Sequence, residues 1–240
     1  MSDAKGEQNM STLSEQQIKE GYFGLIGGFP SQKIITEVNE YVEGERICIA
    51  CTQLDSQGYS ARDQKRILAE WIEFLSSNRK KFTALHFNSK VPQSLFNAAC
   101  CQENLEELRF KWGSFKDLSA LANLKLLKYL YIGSGASVQN ISMLGHLEKL
   151  IVLYVVNFLH VNDYRVLTSL TRLEQLVISG PILGKTPIND LEFLRDMQSL
   201  VSVWLPGAFV IKKYSSQELL NLRTDLPTLH DVNGCIWGSR

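Results

Sequence analysis

Charge of neither sign is in surplus in this chain: 25 Lys and Arg stand against 25 Asp and Glu over 240 residues. Nucleic-acid binding usually requires a basic stripe, and docking on an anionic membrane surface requires a basic patch, so neither is expected. Long apolar runs are also missing. The run Tyr22–Pro30 (YFGLIGGFP) is short and rich in Gly, too short to cross a bilayer and wrongly flanked for a secretory signal. Residues 1–20 are polar, and residues 1–30 read as a polar, flexible arm. These features predict a soluble, cytoplasmic protein. The five cysteines, Cys48, Cys51, Cys100, Cys101 and Cys235, are odd in number and irregular in spacing. That argues against a disulfide framework and fits a reducing compartment. Asn-x-Ser occurs at Asn9 and Asn140, but without a signal peptide neither carries weight as a glycosylation acceptor.

Catalytic signatures are equally scarce. The four histidines, His86, His146, His160 and His230, form no His-Glu-x-x-His arrangement and accompany no Ser or Cys nucleophile motif. Gly133-Ser-Gly135 and the Gly24 to Gly28 cluster lack the strand-to-helix context of a phosphate-binding turn and read as turns. Cys48-x-x-Cys51 falls in a β-like run, Arg46–Thr52, whereas a redox pair normally sits at a helix N-terminus. No second pair stands at metal spacing. Cys100 and Cys101 are adjacent on a helix and are expected to pack as small apolar residues. No catalytic residue, no metal and no cofactor is expected, and the chain is not expected to be an enzyme.

What the sequence does contain is a repeat. Leu105-x-x-Leu108-x-Phe110 recurs as Leu127-x-x-Leu130-x-Ile132, Leu150-x-x-Leu153-x-Val155, Leu173-x-x-Leu176-x-Ile178 and Leu200-x-x-Val203-x-Leu205. The opening Leu residues lie 22, 23, 23 and 27 apart. Phe82-x-x-Leu85-x-Phe87 fits upstream; Leu226-x-x-Leu229-x-Asp231 fits poorly downstream. A second register agrees with the first. Ten residues before the opening Leu of four units stand Asp117, Asn140, Asp163 and Asp190, with Ser216 in the fifth. All are residue types that cap a helix by accepting a backbone N–H bond. Apolar residues follow at three-residue steps, as in Leu118, Leu121, Leu124 and Ile141, Leu144, Leu147, which suits a short helix or 3₁₀ segment. The chain then enters a strand that buries the fourth and sixth positions of the unit.

These residues resemble the leucine-rich-repeat family, in its short 22–23-residue type as found in protein-phosphatase regulatory subunits. The resemblance covers about Phe82 to Leu229. It implies an α/β solenoid: a curved horseshoe with a parallel concave β-sheet and short helices on the convex side. The family's usual ninth-position Asn is mostly absent here, only Asn157 standing close.

The divisions expected are an arm (1–30), irregular N-terminal capping units with longer helices (31–104), regular repeats (105–206) and a degenerate C-terminal cap (207–240). Within the second, Ser31 could cap a helix carrying Ile34, Ile35, Val38, Tyr41 and Val42. Ser60, with Asp63 three residues on, opens an amphipathic helix with Ile67, Leu68, Trp71, Ile72, Phe74 and Leu75 on one side. A further helix is expected over residues 92–102.

Two columns of each strand should face the concavity. One reads Ala84, Glu107, Tyr129, Val152, Gln175, Ser202 and Thr228; the other reads His86, Arg109, Tyr131, Tyr154, Val177, Trp204 and His230. His86 and His230 are expected to be exposed. Arg109, Lys111, Trp112, Tyr129, Tyr131, Tyr154 and Trp204 are the candidate partner-binding residues, because Tyr, Trp and Arg dominate interface energetics. Cross-strand packing that steadies the sheet is the competing explanation for the aromatics. The function expected is non-catalytic binding of a protein partner on the concave face, by a monomer or weak dimer. The alternatives are an immunity protein, inhibitor or regulatory subunit acting on one enzyme, or a small-molecule or enzymatic site in the same groove.

Overall fold

The computed structural model describes residues 11–24 and 33–225. Ten strands follow one another along the described chain: β1 (Ile34–Ile35), β2 (Arg46–Ile49), β3 (Ala84–Val91), β4 (Glu107–Gly113), β5 (Tyr129–Ile132), β6 (Val152–Val156), β7 (Gln175–Ser179), β8 (Thr186–Ile188), β9 (Ser202–Trp204) and β10 (Ala208–Val210). The first seven and β9 form one eight-stranded sheet in chain order, and every neighbouring pair is parallel. The helices are α1 (Glu15–Glu20), α2 (Ala61–Ser77), α3 (Gln93–Ala99) and α4 (Ser216–Thr224). The fold is an α/β leucine-rich-repeat solenoid.

The repeat dictates this geometry unit by unit. Leu85, Leu108, Leu130, Leu153, Leu176 and Val203 pair across successive strands, so the fourth position of every unit forms one buried row. Phe87, Phe110, Ile132, Val155 and Ile178 form the next row. Opposite the sheet, each unit makes one 3₁₀ turn: Ser119–Asn123, Ser142–His146, Arg165–Ser169 and Glu192–Asp196. The polar residue ahead of each turn caps it. Oδ1 of Asp117, Asn140, Asp163 and Asp190 accepts the N–H of Ser119, Ser142, Arg165 and Glu192 at 2.8, 2.8, 3.0 and 3.0 Å. In the fifth unit the cap is Ser215 rather than Ser216. Its Oγ accepts the Glu218 N–H at 3.2 Å, while the Glu218 carboxylate accepts the Ser215 N–H at 2.7 Å.

The solenoid begins with larger pieces. Ser60 Oγ accepts the Asp63 N–H and opens α2, which buries Ile67, Trp71 and Leu75. The Trp71 indole donates to the Thr36 carbonyl at 2.7 Å, tying helix to sheet edge. Helix α3 buries Leu95, Phe96, Ala98 and Ala99, and Phe96 stacks on Phe115. The helix expected after Ser31 does not form where it is described; Ser31 itself lies outside the described residues. Ile34 and Ile35 instead extend the sheet as β1, and only Val38–Glu40 makes a 3₁₀ turn. Two adjacent β-branched residues beside the open edge of β2 gain a ladder that a helix would forgo.

The 27-residue unit holds an insertion that contributes β8, which pairs in parallel with β10. The turns after the strands pack backbone against backbone. At Gly133 an added Cβ would lie 2.0 Å from the Lys111 carbonyl oxygen, so only Gly fits there. Residues 226–240, including Leu226, Thr228, Leu229, His230, Asp231 and Cys235, lie outside the described residues.

Candidate functional site: the concave face and the segment laid across it

The concave face is not bare. Residues 11–24 lie over it, and a second buried cluster forms between the two, separate from the main core: Leu13 and Phe23 from the segment, with Tyr131, Ile151, Val152, Tyr154, Val177 and Trp204 from the sheet. Ile18, Tyr22 and Tyr129 flank it. Tyr131, Tyr154 and Trp204 are 7%, 5% and 4% exposed.

The segment is built from short-range signals. Ser14 Oγ accepts the Gln17 N–H at 3.2 Å and the Gln17 side chain accepts the Ser14 N–H at 2.9 Å, a capping box that opens α1. Gly21, at φ +82°, ends the helix and lies against the Trp204 ring; an added Cβ would sit 3.2 Å from two of its carbons. Tyr22 and Phe23 then point into the groove.

The sheet holds this segment by its backbone as well as its side chains. The Glu174 carboxylate accepts the Thr12 N–H at 2.9 Å, the Leu13 N–H at 3.1 Å and the Ser11 hydroxyl at 2.5 Å. Burial alone would raise the Glu174 pKa, but these donors outweigh it and hold the group below its ordinary value. Gln175 reads the segment twice: its Oε1 accepts the Tyr22 N–H at 2.8 Å and its Nε2 donates to the Gln17 carbonyl at 3.2 Å. The Tyr22 ring stacks on Tyr129 at 4.0 Å between centroids. Phe23 meets Tyr131 edge-on at 5.5 Å, and the Arg109 guanidinium lies 4.4 Å from the centre of its ring.

Under Tyr22 sits a buried charged cluster. Glu107 receives hydrogen bonds from Arg109 Nε at 2.7 Å, Arg46 at 2.8 Å and the Tyr22 hydroxyl at 3.3 Å, and His86 Nε2 lies 2.8 Å from its Oε1. Burial would push Glu107 up; the His86 hydrogen bond and the Arg109 charge prevail and hold it at about 2. Burial pushes His86 down despite the carboxylate, which fits a neutral ring donating from Nε2.

Of the seven candidate residues, the structure brings Arg109, Tyr129, Tyr131, Tyr154 and Trp204 together beneath the segment. Tyr131 and Tyr154 meet at 4.9 Å, side by side in one column. Lys111 and Trp112 lie beyond it: Lys111 is exposed, with its Nζ 4.9 Å from the Trp112 ring centre. His86, expected to be exposed, is buried, because Glu107 gives its ring a partner within the sheet. Sequence reasoning missed Glu174, Gln175, Leu13, Tyr22 and Phe23 as a set. The available signals were Ser14-x-x-Gln17 and the adjacent aromatic pair after Gly21.

Cys48, Cys51 and Cys100 are buried free thiols, and burial pushes all three upward, Cys51 to about 12. Among the described residues, no three His, Cys, Asp or Glu side chains are grouped so as to hold a metal ion, and no helix is long and apolar enough to cross a membrane.

No protein-family model matches the chain, and no curated protein matches its sequence. Among solved structures, an internalin (inlF) from Listeria monocytogenes aligns at 18% identity and a TM-score of 0.47, over 66% of this chain and 54% of the internalin. Internalin C2 (inlC2) of the same organism aligns at 23% identity and a TM-score of 0.48, over 66% of this chain and 65% of its own. The match thus spans less than two thirds of either internalin.

Proposed function

We propose that the protein is a non-catalytic interaction module that binds a protein partner on its concave face, with residues 105–206 as the binding unit. The observation that carries this reading is the segment itself: a peptide lies in the groove, its backbone N–H groups held by Glu174 and Gln175 and its aromatic rings held by Tyr129, Tyr131 and Arg109. A face that binds one peptide through backbone-directed polar groups and aromatic anchors has the chemistry to bind another. Lys111, which is exposed, and the partly buried Trp112 lie at the end of β4, beyond residues 11–24, and complete the proposed face. The partner is a protein rather than a nucleic acid, and binding requires no cofactor. Regulation of a single enzyme is one form such binding could take.

Once a partner is in hand, titration calorimetry tests the assignment. Trp112→Ala should weaken binding by about 1–4 kcal/mol, the hot-spot range. Lys149→Glu, exposed on the convex side, should leave it unchanged. The opposite pattern would move the site to the back of the solenoid.

A further inference from the structure

The segment over the groove differs in kind from the elements beneath it. It adds no strand to the sheet, and among the described residues its bonds to the solenoid go through the side chains of Glu107, Glu174 and Gln175 rather than the solenoid backbone. It can therefore leave without breaking one rung of the β-ladder. Helix α1 spans six residues and buries none of them, and so short a helix does not persist alone in water. The leucine rows of the main core are complete without it. Beneath it runs a contiguous aromatic stripe, Tyr129, Tyr131, Tyr154 and Trp204, and its departure would leave Glu174 and Gln175 without the peptide they hold. A surface of that kind takes up a ligand.

Building on the concave-face reading, we propose that the groove is a receptor for a short peptide and that residues 11–23 occupy it in the free protein as a stand-in. A partner would displace them with a segment of the same chemistry. The groove specifies that chemistry: two free backbone N–H groups ahead of a capped helical turn, for Glu174; an aliphatic side chain in the place of Leu13; a residue with positive φ against Trp204; and an adjacent aromatic pair for Tyr129 and for the Tyr131–Arg109 pocket. Being tethered, the chain's own segment competes at an effective concentration on the order of millimolar, so it sets a threshold that a partner must exceed.

The test uses the full chain carrying Gly21→Val, which opposes docking by its φ and by contact with Trp204 yet leaves every groove side chain in place. The probe is a fluorescein-labelled synthetic peptide of residues 10–25, followed by anisotropy. Hydrogen exchange at the Thr12, Leu13 and Tyr22 amides reports release. The peptide should bind Gly21→Val at least about tenfold more tightly than the unaltered chain. A peptide with Tyr22→Ser and Phe23→Ser should lose that binding, and Glu174→Ala in the Gly21→Val chain should weaken it by about tenfold or more. Phe23→Ser in the full chain provides an independent release. If both released chains exchange freely yet fail to take up the peptide, the proposal is overturned. It is also overturned if neither substitution frees the amides, since the segment is then a permanent part of the fold. A dimer of the unaltered chain that Gly21→Val dissolves would overturn it too, by placing the segment in a second copy's groove. A purified partner that binds undisturbed by excess peptide would sink the concave-face reading while leaving the peptide result standing, so the two failures are separable.

Discussion

Truncating Phe23 should loosen the protein locally without unfolding it. Phe23 is 3% exposed and touches Tyr22, Tyr131, Tyr154 and Arg109. For a buried Phe, truncation to Ala costs about 3–5 kcal/mol, and the guanidinium contact adds about 0.5–2 kcal/mol. In the main core that loss would fall on global stability. Here the chain has another way out: residues 11–24 can undock, so the global loss is capped at the free energy of docking. Fixing a residue's backbone costs about 1–2 kcal/mol, so ordering this segment offsets most of what its few buried side chains contribute. Docking should then amount to a few kcal/mol, about what Phe23→Ala removes. The urea midpoint should therefore move less than for Leu153→Ala. Trypsin cleavage at the exposed Lys19 should accelerate by up to about a hundredfold, tracking the open population. If Phe23→Ala lowers the midpoint as far as Leu153→Ala, and Lys19 is cut only as the whole protein unfolds, the segment is not separable and the reasoning fails.

Other perturbations test the frame. Leu153→Ala, fully buried in the leucine row, should destabilise by about 2–5 kcal/mol, whereas Asp163→Ala should cost about 1 kcal/mol through the lost cap; urea denaturation of both checks the ranking. Gly133→Ala should cost about 1–3 kcal/mol, because its Cβ would meet the Lys111 carbonyl, and a thermal melt reads the loss. Acid should destabilise the fold through the cluster at Glu107. Both Glu107 and His86 have folded pKa values below their unfolded ones. Each therefore contributes stability above its unfolded pKa that is lost as pH falls, from about 6.5 downward for His86 and from about 4.3 toward about 2 for Glu107. Urea midpoints at stepped pH should fall across that window, and Glu107→Gln should flatten the lower part.

Much of the solenoid was legible because its physics is periodic. A Leu or Val at the fourth position of each regular unit, and in four of them an Asp or Asn ten residues ahead of the next opening Leu, impose strand and turn whatever the exposed residues are. The concave columns were also readable, since side chains alternate along a strand; Tyr131 and Tyr154 do lie side by side. What covers those columns was not legible. Glu174 and Gln175 look like ordinary polar positions at a strand start, and only their distance from Thr12, Leu13 and Tyr22 gives them a role. Those partners lie more than 150 residues away in sequence, and no local pattern encodes a pairing between a single capped turn and a distant strand. His86 was misread for a nearer reason: its ring is buried and meets Glu107 of the next repeat, a pairing across strands that alternation along one strand does not reveal. The stretch after Ser31 has helix-compatible spacing, and the choice of strand was made by the neighbouring edge of β2.

The covered groove also changes how mutations of its aromatics must be read. On a bare sheet, Tyr154→Ala would remove one anchor and weaken partner binding by about 1–4 kcal/mol. Here Tyr154 also packs near Phe23, at 6.5 Å between rings, so truncating it loosens the competitor as well as the partner. Apparent affinity is the intrinsic affinity reduced by the fraction of chains whose groove is open, and Tyr154→Ala raises that fraction while lowering the intrinsic term. The two effects oppose each other, so the loss measured in the otherwise unaltered chain should be the smaller one, and it could vanish. In the Gly21→Val background the groove is already open, and Tyr154→Ala should show its full cost as an anchor. Calorimetry on the four chains of this cycle separates the terms. A loss of the same size in both backgrounds would mean that the segment and the partner do not compete for Tyr154.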